Sequence, residues 1–154
     1  MDAKAYSQVP ARLHAMPSWL ITQIATHAAR LVTQGLSNVG AHRYHFALMA
    51  ALEEFGPLSQ AELGRRSGID RSYIVESLNE LEDAGMVVRA VDPADRRRNT
   101  VTVTKAGLDQ LRRIDGALAE AQDAMLDGLS VTERATLTAL LTRVLHQVAG
   151  RDGG

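Results

Sequence analysis

Cysteine is absent from the 154 residues. That excludes a disulfide framework, a thiol nucleophile, a zinc site built on thiolates and a thiol-based redox switch. Aromatic residues are scarce at 4%. Nor is there an apolar run of the roughly 18 residues needed to cross a bilayer. Met1 to Pro10 lacks a basic start followed by an apolar stretch, so no signal peptide is expected and the chain is expected in the cytoplasm. A large charge of either sign is also missing, with a formal net charge of −1. Between residues 59 and 105 eight Arg or Lys balance eight Asp or Glu, so bulk charge gives nucleic-acid binding no support. Any such case rests on where individual cations sit. Signatures of catalysis are missing as well: no nucleophile elbow, phosphate-binding glycine loop, His-Glu-x-x-His or paired-carboxylate pattern is present. No enzyme activity and no cofactor are expected.

What remains is an ordinary globular balance, 45% hydrophobic and 23% charged, in a length that suits one domain. Trp19, Leu20, Ile24, Ala28 and Leu31 follow Pro17-Ser18 at helical spacing. This predicts a helix capped by Ser18 and ended by Gly35. A second helix is predicted from about Ala41 to Phe55, stopped by Gly56-Pro57. Ser59 and Glu62 fit a capping box for a short third helix that Ser67-Gly68 ends. Asp70 opens a fourth, with Ile74, Leu78 and Leu81 on its inner face and Gly85 as its stop. Two short helices joined by a tight Gly-containing turn make a helix-turn-helix unit.

The period then changes. Met86 to Ala90 and Asn99 to Val103 are short and rich in β-branched residues. Asp92-Pro93-Ala94-Asp95-Arg96-Arg97-Arg98 between them is a charged turn, so a two-stranded hairpin, or wing, is predicted. Thr104 caps a long helix to about Asp127, Gly128 breaks it, and Ser130 with Glu133 opens a last helix carrying Leu137, Leu140, Leu141, Val144, Leu145 and Val148. The fold class is mainly α with a small β-hairpin wing. Residues 37–104 form the winged helix-turn-helix. Residues 1–36 and 105–150 form a helical layer drawn from both termini, and 151–154 a frayed tail. Long apolar helices around so small a unit suggest a dimer interface, or else a layer folded back over a monomer.

Three stretches together resemble the MarR family of bacterial regulators. They are Leu58-Ser59-Gln60-Ala61-Glu62-Leu63, then Val75 to Val87, and Asp92 to Arg98 followed by Val101-Thr102-Val103-Thr104-Lys105-Ala106-Gly107. The last of these, the wing pattern with its closing Thr-x-x-Gly, is the most diagnostic. The resemblance implies a homodimer with one winged motif per subunit. It also implies release of DNA when a small, often phenolic, anion binds between the DNA-binding and dimerisation layers. A repressor binding double-stranded DNA at a palindromic operator is therefore expected.

Within such a motif the second helix enters the major groove by its N-terminal turn. Arg71, Ser72, Tyr73, Val75 and Glu76 stand at its start or outer face. Arg71 can fork onto guanine, while Glu76 can accept from cytosine or orient Arg71. Alternatively the two are a solvated face. Ser59 and Gln60 at a helix N-terminus suit a phosphate. Arg65 and Arg66 add phosphate contacts, or pair with Glu62 instead. In the wing, Arg97 matches the family's minor-groove arginine, and Asp95 can hold its guanidinium. Arg96 and Arg98 face phosphate or solvent.

His14, Trp19, His42, Arg43, Tyr44 and His45 fall where the resemblance places an effector pocket, and suit an aromatic acid or phenol. Equally, Trp19 can be interface packing. Some relatives sense metals, but zinc needs three or four ligands. Those beyond His42 and His45 would have to come from His14, His27, His146 or distant carboxylates, so no metal site is assigned. Two rival readings share the fold: a protein–protein adaptor that does not bind DNA, and a metal-responsive regulator. Cations at both the wing tip and Arg71 speak against the adaptor.

Overall fold

Pro17 and Gly40 bound the first long helix of the computed structural model, which describes residues 8–91 and 99–152. A short α1 (Ala11–His14) precedes α2 (Pro17–Asn38). The N-cap is Met16 rather than Ser18, because proline's fixed φ and missing N–H suit the first helical position. Gly35 does not end α2. It is buried inside the helix, and a Cβ there would lie 3.2 Å from the Ala117 carbonyl oxygen, so glycine here permits close packing. The turn falls at Gly40, with φ +67°.

The chain continues through α3 (Arg43–Phe55), β1 (Leu58–Ser59), α4 (Gln60–Ser67) and α5 (Arg71–Asp83). Then come β2 (Val87–Val91), β3 (Asn99–Val103), α6 (Lys105–Met125) and α7 (Val131–Asp152). The sheet has three antiparallel strands in the order β1-β3-β2, not the two of a bare hairpin. Leu58 pairs with Val101 and Ser59 with Thr100, so the segment leading into the helix-turn-helix is stitched to the wing. A two-residue strand is too short to show an alternating pattern, which is why the sequence reading passed over it.

The residues fall into two compact units, 1–121 and 122–154. In the first, Leu48, Leu63, Leu78, Leu81, Val87 and Ile114 are fully buried in one core that takes a residue from nearly every element. Gln110, also buried, donates from Nε2 to the Val39 carbonyl at 2.7 Å and so ties α6 to the end of α2. The Thr-x-x-Gly signature has a clear mechanical basis. Thr104 donates its N–H to Met86 O at 2.9 Å and its hydroxyl to Gly85 O at 2.7 Å, then accepts the Gly107 N–H at 3.1 Å. A Cβ at Gly107 would collide with that same Met86 oxygen.

The second unit holds the end of α6 and all of α7. Ser130 and Glu133 form the expected reciprocal capping box, and Arg134 bonds both the Leu129 carbonyl and Asp123. The last helix continues to Asp152, through the first two residues of the expected frayed tail. No helix among the described residues is long and apolar enough to cross a membrane.

Candidate nucleic-acid interface

Asp70 starts α5 as expected. Its Oδ1 accepts both the Ser72 N–H at 2.9 Å and the Ser72 hydroxyl at 2.6 Å. Those bonds, the hydroxyl's first, hold the Asp70 carboxyl below its ordinary pKa. Ile74, Ser77, Leu78 and Leu81 face inward, which leaves Arg71, Ser72, Tyr73, Val75 and Glu76 exposed at the start and outer face. Arg71 has no ion pair or hydrogen bond among the described residues, and no bond joins it to Glu76. Its five donors are uncommitted. Tyr73 is half exposed, its ring stacked on Tyr44 of α3 at 5.0 Å between centroids.

The first helix of the unit is built differently from its reading in one respect. Ser59 caps it by accepting the Glu62 N–H at 3.2 Å, but the Glu62 side chain does not return the bond. Instead it pairs with Arg65 and, at 2.7 Å, with Arg66 Nε. Both arginines therefore take the alternative of pairing with Glu62, which lowers the Glu62 pKa, the Arg65 bond most. Arg66 also lies over the Phe55 ring at 4.3 Å. Each still has free donors and substantial exposure. A cavity of about 510 Å³ opens between α4 and α5, where Gln60, Arg65 and Arg71 share a wall with Gly64, Ile69 and Ile74. Three residues singled out separately thus converge on one cleft.

Asp95, Arg96, Arg97 and Arg98, with the rest of Asp92 to Arg98, lie outside the described residues. The base of the wing is described, and Arg89 governs it. Its guanidinium donates to Glu82 Oε2 at 2.9 Å and to Asn79 Oδ1 at 2.8 Å, while its backbone N–H reaches Glu82 Oε1 at 3.1 Å. Strand β2 is thereby pinned to the last turns of α5. The sequence reading missed Arg89 because its partners are 7 and 10 residues away on another element.

Among the proposed effector residues, His14 and Trp19 place their rings 5.5 Å apart. At the start of α3, Arg43 donates to the Tyr44 hydroxyl at 2.8 Å and lies over its ring. His42 and His45 both approach one carboxylate oxygen of Glu80 on α5, at 3.3 and 2.7 Å. Burial, outweighing the Glu80 bond, lowers the His45 pKa. Glu80 was not among the residues singled out from the sequence. Its spacing to His42 carries no local signal.

A helix-turn-helix whose second helix shows an uncommitted arginine, braced to a strand-paired wing, defines a winged helix-turn-helix protein. Residues 37–98 match the model of the MarR family. A putative transcriptional regulatory protein for the hcr operon of Thauera aromatica is 40% identical over 90 residues, 58% of this chain. That match covers 54% of the relative, so the chain spans about half of its length. The crystal structure of a probable transcriptional regulator from Pseudomonas aeruginosa superposes with a TM-score of 0.71 at 31% identity, covering 86% of this chain and 98% of that one. A mutant MarR of E. coli complexed with operator DNA superposes at 0.69 and 24% identity, over 82% of this chain and 91% of that one. This protein belongs to the MarR family of transcriptional regulators, which are not enzymes.

Proposed function

We propose that the chain is a homodimeric repressor that binds a palindromic operator in double-stranded DNA and is released by a small aromatic acid or phenol. The observation that carries this reading is Arg71: an unpaired guanidinium on the first turn of a helix whose other face is locked into the core. Arg71 would read guanine in the major groove, with Ser72, Tyr73, Val75 and Glu76 beside it. Ser59, Gln60, Arg65 and Arg66 would hold phosphates. From the wing, Arg97 would enter the minor groove, positioned by Asp95 and flanked by Arg96 and Arg98.

Dimerisation is supported by α7, a 22-residue helix with no buried residue among those described. Leu140, Leu141, Val144, Leu145 and Val148 stay exposed along it, a surface that a second copy would cover. Two-fold pairing would present two recognition helices to half-sites roughly 34–36 Å apart. His14, Trp19, His42, Arg43, Tyr44 and His45 offer the aromatic faces and cationic donors that an aromatic carboxylate needs. The protein would act in the cytoplasm.

An electrophoretic shift assay with the DNA upstream of its own gene, run across a salt series, tests this. A sequence-preferring complex that weakens steeply with salt is expected. The absence of any such complex at every salt concentration would favour the adaptor reading instead.

A further inference from the structure

We propose that His42, His45 and Glu80 form a binding site for a divalent transition metal ion of the zinc type, fastening the first turn of α3 to the recognition helix. The inference rests on the geometry of these three side chains and not on DNA binding. One ligand atom from each residue lies within 4.8 Å of the others. A tetrahedral ion with bonds of about 2.0–2.1 Å separates its ligand atoms by roughly 3.3 Å. His42 Nε2 is already 3.3 Å from Glu80 Oε2, while His45 Nε2, at 2.7 Å, has to withdraw by about 0.6 Å to give the same spacing.

Two imidazoles packed 3.5 Å apart, both turned toward one carboxylate oxygen, are an awkward pair without an ion. Glu80 Oε2 then serves two rings at once. A dication would accept a lone pair from each ring and from the carboxylate. Two nitrogens and one carboxylate form a borderline donor set that favours zinc and its neighbours over magnesium or calcium, which take oxygen. Three protein ligands leave a fourth position for water or a small anion, and the half-exposed His42 and Glu80 leave it open to solvent. The residues joined are 35 and 38 apart in sequence, so the ion would cross-link two elements of the core unit.

The test uses the full-length chain with no affinity tag. Cobalt(II) is titrated and followed by its visible absorption, then zinc is added in competition, and melting is measured with and without zinc. The expected result is one cobalt per chain with the bands of a tetrahedral site, displacement by zinc, and a melting temperature raised by zinc. His45→Ala and Glu80→Gln should each weaken binding by about tenfold or more, at least the cost of losing a metal's supporting partner. Circular dichroism identical to that of the wild type shows that the variants are folded. His146→Ala, on α7, should bind as the wild type does. Absence of a saturable one-to-one complex would overturn the proposal, as would unchanged affinity in both folded ligand variants.

Discussion

The Glu82 carboxylate accepts from both the backbone N–H and the guanidinium of Arg89, at 3.1 and 2.9 Å, and so ties the last turn of α5 to strand β2 at the base of the wing. A winged motif that binds DNA has to present both elements at once, and this pair joins them. Arg89→Leu should lower stability by about 1 kcal/mol, a modest figure because the pair is partly solvent-screened. It should also weaken DNA binding although Arg89 need not touch DNA. Denaturant unfolding and operator titration measured together check this; full affinity in the variant would show that the wing is oriented by other contacts.

Gly107 is the tightest point of the wing base. Gly107→Ala places a methyl group against the Met86 carbonyl oxygen and 2.7 Å from Val103 Cγ2. Overpacking of this kind costs about 1–3 kcal/mol. Thermal melting should show the loss, whereas Gly116→Ala, with open space around its Cα, should be neutral or slightly stabilising.

Arg71→Ala should relax base preference at one position in each half-site, at a cost of about 1–3 kcal/mol. Selection of binding sites from a random pool gives the preference profile directly. Arg65→Ala should instead weaken all sequences alike, because phosphates carry no sequence information. If the Arg71→Ala profile matches that of the wild type, the arginine is not a base reader.

Asp70 gives a pH dependence whose sign can be worked out. Its folded pKa lies below the ordinary value because the Ser72 hydroxyl and N–H bond the charged form. The resulting stability is present above the unfolded pKa and is lost as pH falls through the folded one. Asp70→Ala should therefore melt below the wild type at pH 7, and the gap should close on acidification below the usual carboxylate range. Asp70→Asn keeps a capping oxygen and should lose less. Melting curves from pH 7 down to strong acid decide it.

Leu145 lies in the middle of the exposed α7 stripe. Leu145→Glu should halve the mass measured by light scattering, and operator affinity should fall with it. A variant that keeps the mass of the wild type would place the dimer contact elsewhere.

Apolar periodicity and capping chemistry made most of the helices legible in the sequence. Asp70, the Thr104 cap on Gly107 and the Ser130–Glu133 box act within three residues, so these bonds are written locally. The outward set on α5 followed from the inward one, because a helix with Ile74, Leu78 and Leu81 buried has only one other face to show. Arg65 and Arg66 were ambiguous for a physical reason: Glu62, three and four residues before them, competes with any phosphate.

Other features depended on residues far apart in the chain. Gly35 reads as a helix stop until Ala117 is seen against it, and Leu58–Ser59 becomes a strand only by pairing with β3. Arg89 meets Glu82 and Asn79, and Glu80 meets His42 and His45, only once α5 has packed against β2 and α3. The sequence by itself determined the order of the six longer helices and the hairpin, most of their caps and the exposed face of α5, since each depends on spacing within a few turns. Only the tertiary structure decided which glycine turns and which packs, how the wing is braced and where Glu80 finds its histidines, because those contacts close loops whose ends carry no local trace of one another.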